Sequence, residues 1–153
     1  MPNPKYGITF PFKDSPQGFF LKLSNTTDEE VRSSLIHLIL TVKGSRYFLP
    51  DFGTNLMKFI YEPLDNTTKL SINNEIRDTV EKFMPNLIIN DVEVKTAEDV
   101  RLEEENNPNS ENINDSDFSF VGEAEREYTL RVRIDYTAGD GFFETKDFVV
   151  INL

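Results

Sequence analysis

Between Thr41 and Pro63 the chain reads TVKGSRYFLPDFGTNLMKFIYEP, and this stretch limits the possible folds more than any other. Two glycines, Gly44 and Gly53, stand where a turn needs backbone angles that other residues adopt only at a cost. Pro50 fixes its own φ and has no N–H to give, so it stops a strand and presets the Pro50-Asp51-Phe52-Gly53 corner. An apolar helical pattern precedes the stretch, and a short amphipathic segment, residues 56 to 60, follows it. The arrangement specifies a rigid connector between packed elements and carries no catalytic chemistry.

The flanking segments supply those elements. Val31, Leu35, Leu38, Ile39 and Val42 recur at helical spacing, which predicts a helix over 28–42 opened by a Thr27–Glu30 capping box. Ile36 and Leu40 widen its apolar stripe. A short strand is expected over 46–49 and a short helix over 55–60. Residues 65 to 68 offer caps for a second long helix, 67–83, with Ile72, Ile76, Val80 and Phe83 buried, Leu70 flanking, and Asp78 and Lys82 paired across one turn. Pro85 ends it.

The second half reads as sheet. A β-rich run covers 87–95. Tyr128, Leu130, Val132, Ile134 and Tyr136 alternate with Thr129, Arg131, Arg133 and Asp135, the plainest strand pattern in the chain. Ala138-Gly139-Asp140-Gly141 turns it into a last strand over 142–151. That strand closes on Phe148-Val149-Val150-Ile151, four apolar residues that put side chains on both faces. At a sheet edge its backbone would invite another chain to pair; the alternative is that the protein's own helices and arm cover it. Residues 1 to 27 hold Pro2, Pro4, Pro11 and Pro16 among Tyr6, Ile8, Phe10, Phe12, Phe19, Phe20 and Leu21, which suggests an extended arm laid over the core. The expected fold is α+β: two main helices and a short helix on a small antiparallel sheet, with an extended N-terminal arm and a C-terminal β-hairpin. The 13 Phe and 5 Tyr among 153 residues suffice for one domain, 1–153.

Charge is distributed unevenly. Residues 97–127 hold 11 acids against Arg101 and Arg126, so this segment contributes −9 of the net −11. We expect it to be a mobile acidic insertion on a nearly neutral module. Nucleic acid is an unsuitable partner for a chain without a concentrated basic surface. The opening MPNPKYGITFPF lacks the apolar run of a signal peptide, and no stretch matches the ~20 apolar residues of a membrane span, so a soluble intracellular protein is expected.

The chemistry of sites is sparse. Glycoside hydrolysis requires two facing carboxylates about 5–9.5 Å apart. Only Asp51 and Glu62 lie near a defined turn, and their positions suit capping and a Glu-Pro exit. His37 is the single histidine and sits mid-helix, and there is no cysteine, so neither a nucleophile triad nor a metal site is expected. The run Glu103 to Glu105 lacks the turn and ligand spacing of a calcium loop. No cofactor and no small-molecule substrate are implied. Arg46 is expected to hold the corner by bonding backbone carbonyls or Asp51.

The order of these pieces resembles the baseplate wedge, or sheath-initiator, family of contractile phage tails, which includes a type VI secretion baseplate subunit of the same fold. The matching residues are Gly7-x-x-Phe10-Pro11-Phe12, the helix VRSSLIHLILT, Gly44-x-Arg46, Pro50-Asp51-Phe52-Gly53, Leu56, Tyr61-Glu62-Pro63, the helix closing on Pro85, Asp91-Val92-Glu93-Val94 and the final hairpin. Two departures stand out. Ser45 replaces the family's usual Glu, and Met84-Pro85-Asn86 replaces a Glu-Pro-Arg motif that contacts neighbouring wedge subunits. The resemblance implies a non-enzymatic structural subunit of the virion tail baseplate, assembled in the host cytoplasm. Its implied partners are other wedge proteins and the tail sheath subunit, whose strand would pair with the last strand here. The partner-binding residues so implied are Arg46, Pro85, Phe142, Phe148, Val149, Val150 and Ile151. Gly44, Pro50, Asp51, Phe52 and Gly53 form the structural corner. Two other functions fit the same fold: an anti-adaptor-like binding regulator, and a cell-wall hydrolase, as some family members have been labelled.

Overall fold

The computed structural model describes residues 7–15, 18, 20–106, 118–119, 129–139 and 144–153. Helix α1 spans Thr27–Leu40 and helix α2 Asn66–Phe83, with a 3-10 turn, Leu56–Tyr61, between them. Strand β1 (Leu87–Thr96) runs directly into helix α3 (Ala97–Asn106). Strands β2 (Phe118–Ser119), β3 (Leu130–Gly139) and β4 (Glu144–Asn152) complete the sheet. The fold is α+β, as expected, and its C-terminal strands form a hairpin.

The sheet order is β1-β3-β4-β2. β3 lies at its centre, antiparallel to β1 on one side and to β4 on the other. β2 departs from the all-antiparallel expectation: it pairs parallel with β4, Phe118 against Ile151 and Ser119 against Asn152. One face of the sheet packs on the helices. Val132, Ile134 and Tyr136 of β3 and Val149 and Ile151 of β4 meet Leu35, Leu38 and Ile39 of α1 and Ile72, Ile76 and Val80 of α2 in a single core. The second face is covered as well toward the chain's end, where Thr129, Arg131, Val150 and Asn152 are buried.

A bulge in β1 shifts the register between Ile89 and Asp91. Arg77 of α2 supports it. Its Nη1 donates to the Ile89 carbonyl at 2.9 Å and its Nη2 to the Asn90 carbonyl at 3.3 Å, while its Nε is steered by Asn73 Oδ1 at 2.7 Å. These are main-chain carbonyls at the irregular stretch of an edge strand.

Several expectations need correction. The α1 cap is Thr26, whose side chain accepts from the Glu29 N–H; Glu30 instead accepts from Ser24 Oγ at 2.7 Å. The helix stops at Leu40, so Val42 leaves the stripe and is exposed. Residues 46–49 form no strand. They make a tight loop with Tyr47 and Phe48 outside, because Gly44 N–H donates to the Pro50 carbonyl at 2.7 Å and closes the turn before a ladder can start. Leu70 is exposed, and Lys82 reaches Asp51 at 3.3 Å, not its helical neighbour Asp78.

The arm is not simply extended: Ile8 and Leu23 form an antiparallel bridge, and Ser24 N–H donates to the Gly7 carbonyl at 2.8 Å, so the segment folds back on itself. Phe10 packs on the core, but Phe12 and Phe20 point outward. The acidic segment begins as helix α3, opened by a reciprocal cap in which Thr96 N–H donates to Asp99 Oδ2 at 3.0 Å and Asp99 N–H donates to Thr96 Oγ1 at 3.1 Å. The Thr96 N–H bond holds the Asp99 carboxyl below its ordinary pKa against the opposing effect of burial. Residues 107–117 and 120–127 of the expected insertion, with Tyr128, lie outside the described residues.

Candidate functional site

The corner is built on backbone bonds. Leaving α1, Thr41 receives the Thr54 N–H on its carbonyl at 2.8 Å, and the Thr54 carbonyl accepts from Lys43 N–H at 3.0 Å, a parallel bridge between Val42 and Thr54. Thr54 is buried and its hydroxyl donates to the Ile39 carbonyl at 2.6 Å. This close approach requires Gly53. Its φ is +107°, and a Cβ placed there would sit 2.1 Å from the Thr41 carbonyl oxygen. Gly44 also has a positive φ, +88°, but open space lies where its side chain would go. Pro50 contributes the carbonyl that closes the loop on Gly44, and Phe52 N–H donates to Leu49 at 3.0 Å.

Arg46 does not bond Asp51 or the corner carbonyls. Its guanidinium lies 4.1 Å above the Phe52 ring and its Nη2 donates to His37 Nε2 at 2.9 Å. Arginine has no lone pair to offer, so His37 accepts and its ring is neutral. Partial burial and the Arg46 charge both hold the His37 pKa below its ordinary value. Phe10 of the arm stacks on His37 at 5.4 Å, and Phe52 meets Phe83 of α2 edge-on at 5.1 Å. A row of rings and one cation thus ties arm, α1, corner and α2 together. Asp51 faces outward to Lys82.

The second candidate region is β4. Val149, Val150 and Ile151, expected to meet a partner, are buried within the chain, Ile151 completely. Phe148 lies under the Arg133 guanidinium at 4.2 Å. What β4 offers outward is backbone. Leu130 and Leu153 exchange both N–H···O bonds, at 3.0 and 2.9 Å. Antiparallel alternation therefore turns Ile151, Val149 and Asp147 toward β3, and Asn152, Val150, Phe148 and Lys146 toward the outer edge. β2 covers that edge at its end. Phe142 lies outside the described residues.

Asp147 was not singled out by any sequence pattern. It accepts from Arg32 Nη1 at 3.0 Å, from the Tyr136 hydroxyl at 3.2 Å and from the Phe148 N–H at 2.8 Å. One carboxylate thus fastens α1 to the hairpin and occupies an edge N–H. The only sequence clue was an acid among apolar neighbours on the core-facing parity of β4.

Pro85 is exposed and stands with Met84 and Asn86 beside a surface depression of about 540 Å³, bounded also by Thr27 and Val31 of α1 and Ala138 of β3. Asp51 and Glu62, the acids nearest the turn, are both exposed, and Asp51 is engaged by Lys82. Among the described residues no group of three potential metal ligands converges, and no helix is long and apolar enough to cross a membrane.

Comparison with known proteins agrees with this architecture. The search of curated proteins finds no match. Among solved structures, a Geobacter sulfurreducens protein provisionally named a tail lysozyme superposes with a TM-score of 0.58 over 86% of this chain and 94% of its own, at 17% identity. At that identity the likeness speaks for the fold alone. A chain of the anti-feeding prophage baseplate superposes with a TM-score of 0.51, at 26% identity over 58% of this chain and 70% of its own. The family model described as baseplate wedge protein gp25 matches residues 25–114, which include α1, the corner, α2, β1 and α3. The chain therefore belongs to the baseplate wedge protein gp25 family.

Proposed function

We propose that this protein is a non-catalytic structural subunit that joins wedge components of a contractile-tail or related injection-machine baseplate and seats the first sheath ring by β-strand pairing. Family membership and the likeness to a baseplate chain support a structural role in the baseplate. The sheath part is supported by one observation: the outer edge of β4 turns the backbone of Lys146 and Phe148 away from β3. Arg46 and Pro85 belong to the wedge-facing surface in this reading, and the corner Gly44, Pro50, Asp51, Phe52 and Gly53 keeps that surface rigid. Side chains 149–151 act indirectly, by anchoring β4 so that its edge is straight and preformed. The name tail lysozyme belongs to a neighbour of fold, and the exposed, ion-paired Asp51 gives hydrolysis no support.

The test is to purify particles carrying a tagged copy of this protein and locate the tag by electron microscopy. Label beneath the first sheath ring is the expected result. A tag found only in a small one-to-one complex with a soluble protein would favour the regulator, and label absent from the particle would refute the proposal.

A further inference from the structure

We propose that Arg46, rimmed by Tyr47 and Phe48, is a docking site for a side-chain carboxylate carried on an apolar segment of a neighbouring baseplate subunit. This names the chemistry of the wedge-facing surface proposed above and rests on that reading. The Arg46 guanidinium is held in place but not neutralised. It lies 4.1 Å above the Phe52 ring, and His37 Nε2 takes one of its five N–H donors at 2.9 Å. Among the described residues no carboxylate pairs with Arg46, nor with Lys43 on the same loop. Asp51, the acid of this corner, is engaged by Lys82 at 3.3 Å. The Arg46 charge therefore stands without a counter-charge on a chain whose net charge is −11. A planar guanidinium fork matches a carboxylate in geometry as well as in sign.

The rim of that cation is apolar. Of the twelve large hydrophobic residues exposed among the described ones, Val42, Tyr47, Phe48 and Leu49 fall within eight consecutive positions. Tyr47 and Phe48 are each 91% exposed, and their rings meet edge-on at 5.1 Å. Such a concentration on one loop marks a contact surface, and aromatic rings beside an arginine are the residue types that carry most of the energy in protein interfaces. The loop is also set in advance. Gly44 N–H donates to the Pro50 carbonyl at 2.7 Å, Ser45 N–H to Val42 at 3.1 Å and Phe52 N–H to Leu49 at 3.0 Å. A tip fixed in this way loses little conformational freedom on binding. Two cations on an acidic chain are too few to hold a polyanion such as a nucleic acid. They suit a protein surface that offers a carboxylate among apolar groups.

Arg46→Lys keeps the charge and supplies an amine, which a water-soluble carbodiimide joins directly to a carboxylate in contact with it. Particles assembled with this variant are treated with the reagent and the cross-links are mapped by mass spectrometry, with wild-type particles as the control. Coupling between position 46 and an Asp or Glu of a neighbouring baseplate subunit is the expected result. Tyr47→Ser combined with Phe48→Ser removes only exposed rings. It should leave the thermal melt unchanged and lower incorporation into particles at least about tenfold. No coupling between subunits at position 46, coupling only to acids of the same chain, or undiminished incorporation of the double variant overturns the carboxylate site while leaving the baseplate role intact. Wild-type binding to vesicles of anionic phospholipid that the double variant loses assigns the tip to a membrane and likewise overturns it. Absence of the wild-type protein from the particles overturns the baseplate reading itself.

Discussion

Replacing Gly53 by alanine should be far more damaging than replacing Gly44, although both glycines have a positive φ. The shared cost is conformational: an L-residue held in this region loses about 1–2 kcal/mol. For Gly44 little is added, because nothing lies within 4 Å of the new Cβ. At Gly53 the Cβ would stand 2.1 Å from the Thr41 carbonyl oxygen and 2.8 Å from its carbon. Both are backbone atoms and cannot swing aside as a side chain would. Relieving the clash separates the strands at Val42 and Thr54, which forfeits Thr54 N–H to Thr41 and Lys43 N–H to Thr54. At about 0.5–1.5 kcal/mol each, those bonds add about 1–3 kcal/mol. Gly53→Ala should therefore cost about 2–5 kcal/mol in all. The assay is urea unfolding of both variants followed by circular dichroism, with the slope m checked for constancy. Gly53→Ala is expected to lie about 1–3 kcal/mol below Gly44→Ala. Equal stabilities, or a greater loss at Gly44, would refute the claim that the corner is held by close backbone contact.

Asp147→Ala should cost about 1.5–3 kcal/mol, mostly by removing a charged acceptor from the buried Tyr136 hydroxyl and less by loss of the third-exposed Arg32 pair; a thermal melt within 1–2 °C of wild type would contradict it. Arg77→Ala should cost about 1–3 kcal/mol and raise amide exchange around Asn90, because the bulge carbonyls lose their donor; unchanged exchange would mean the bulge is self-supporting. The His37 pKa is lowered on folding, so its contribution to stability is complete above about pH 6.5 and falls as the pH drops below that value toward the folded pKa. His37→Gln should then flatten the stability profile between pH 7 and 5, and a profile identical to wild type would remove His37 as its source. Asp51→Asn should change stability by less than about 0.5 kcal/mol, since the pair with Lys82 is exposed.

How far the fold could be read in advance depended on whether a signal was local. Helix α2 was legible because cap, stripe and terminating proline agree, and the structure has Asp65 accepting from Thr68 N–H at 2.7 Å and Ile72, Ile76 and Val80 buried. β3 was legible because its alternation is uninterrupted. The strand expected over 46–49 failed because β-forming residues, Tyr47-Phe48-Leu49, sit inside a loop closed by Gly44 and Pro50, and loop closure outweighs propensity. Helix α3 was hidden by its acidity. Charge density points to a solvated loop, while the reciprocal cap Thr96-x-x-Asp99 marks a helix start.

The candidate sites divide the same way. The glycines of the corner could be found from composition, but Arg46 turned to His37 and Phe52, an arrangement set by how α1 and the corner meet in space. Asp147 and Arg32 are 115 residues apart, and no periodicity links them. The burial of Val149–Ile151 is not legible in advance, because a run of apolar residues marks a strand covered on both faces without naming the cover.

The most direct test of the account is a cryo-electron microscopy map of the assembled particle at a resolution that traces strands, examined along the outer edge of β4. A strand from a sheath subunit hydrogen-bonded to the backbone of Lys146 and Phe148 is the expected result. A map in which the sheath touches this protein only elsewhere would contradict it.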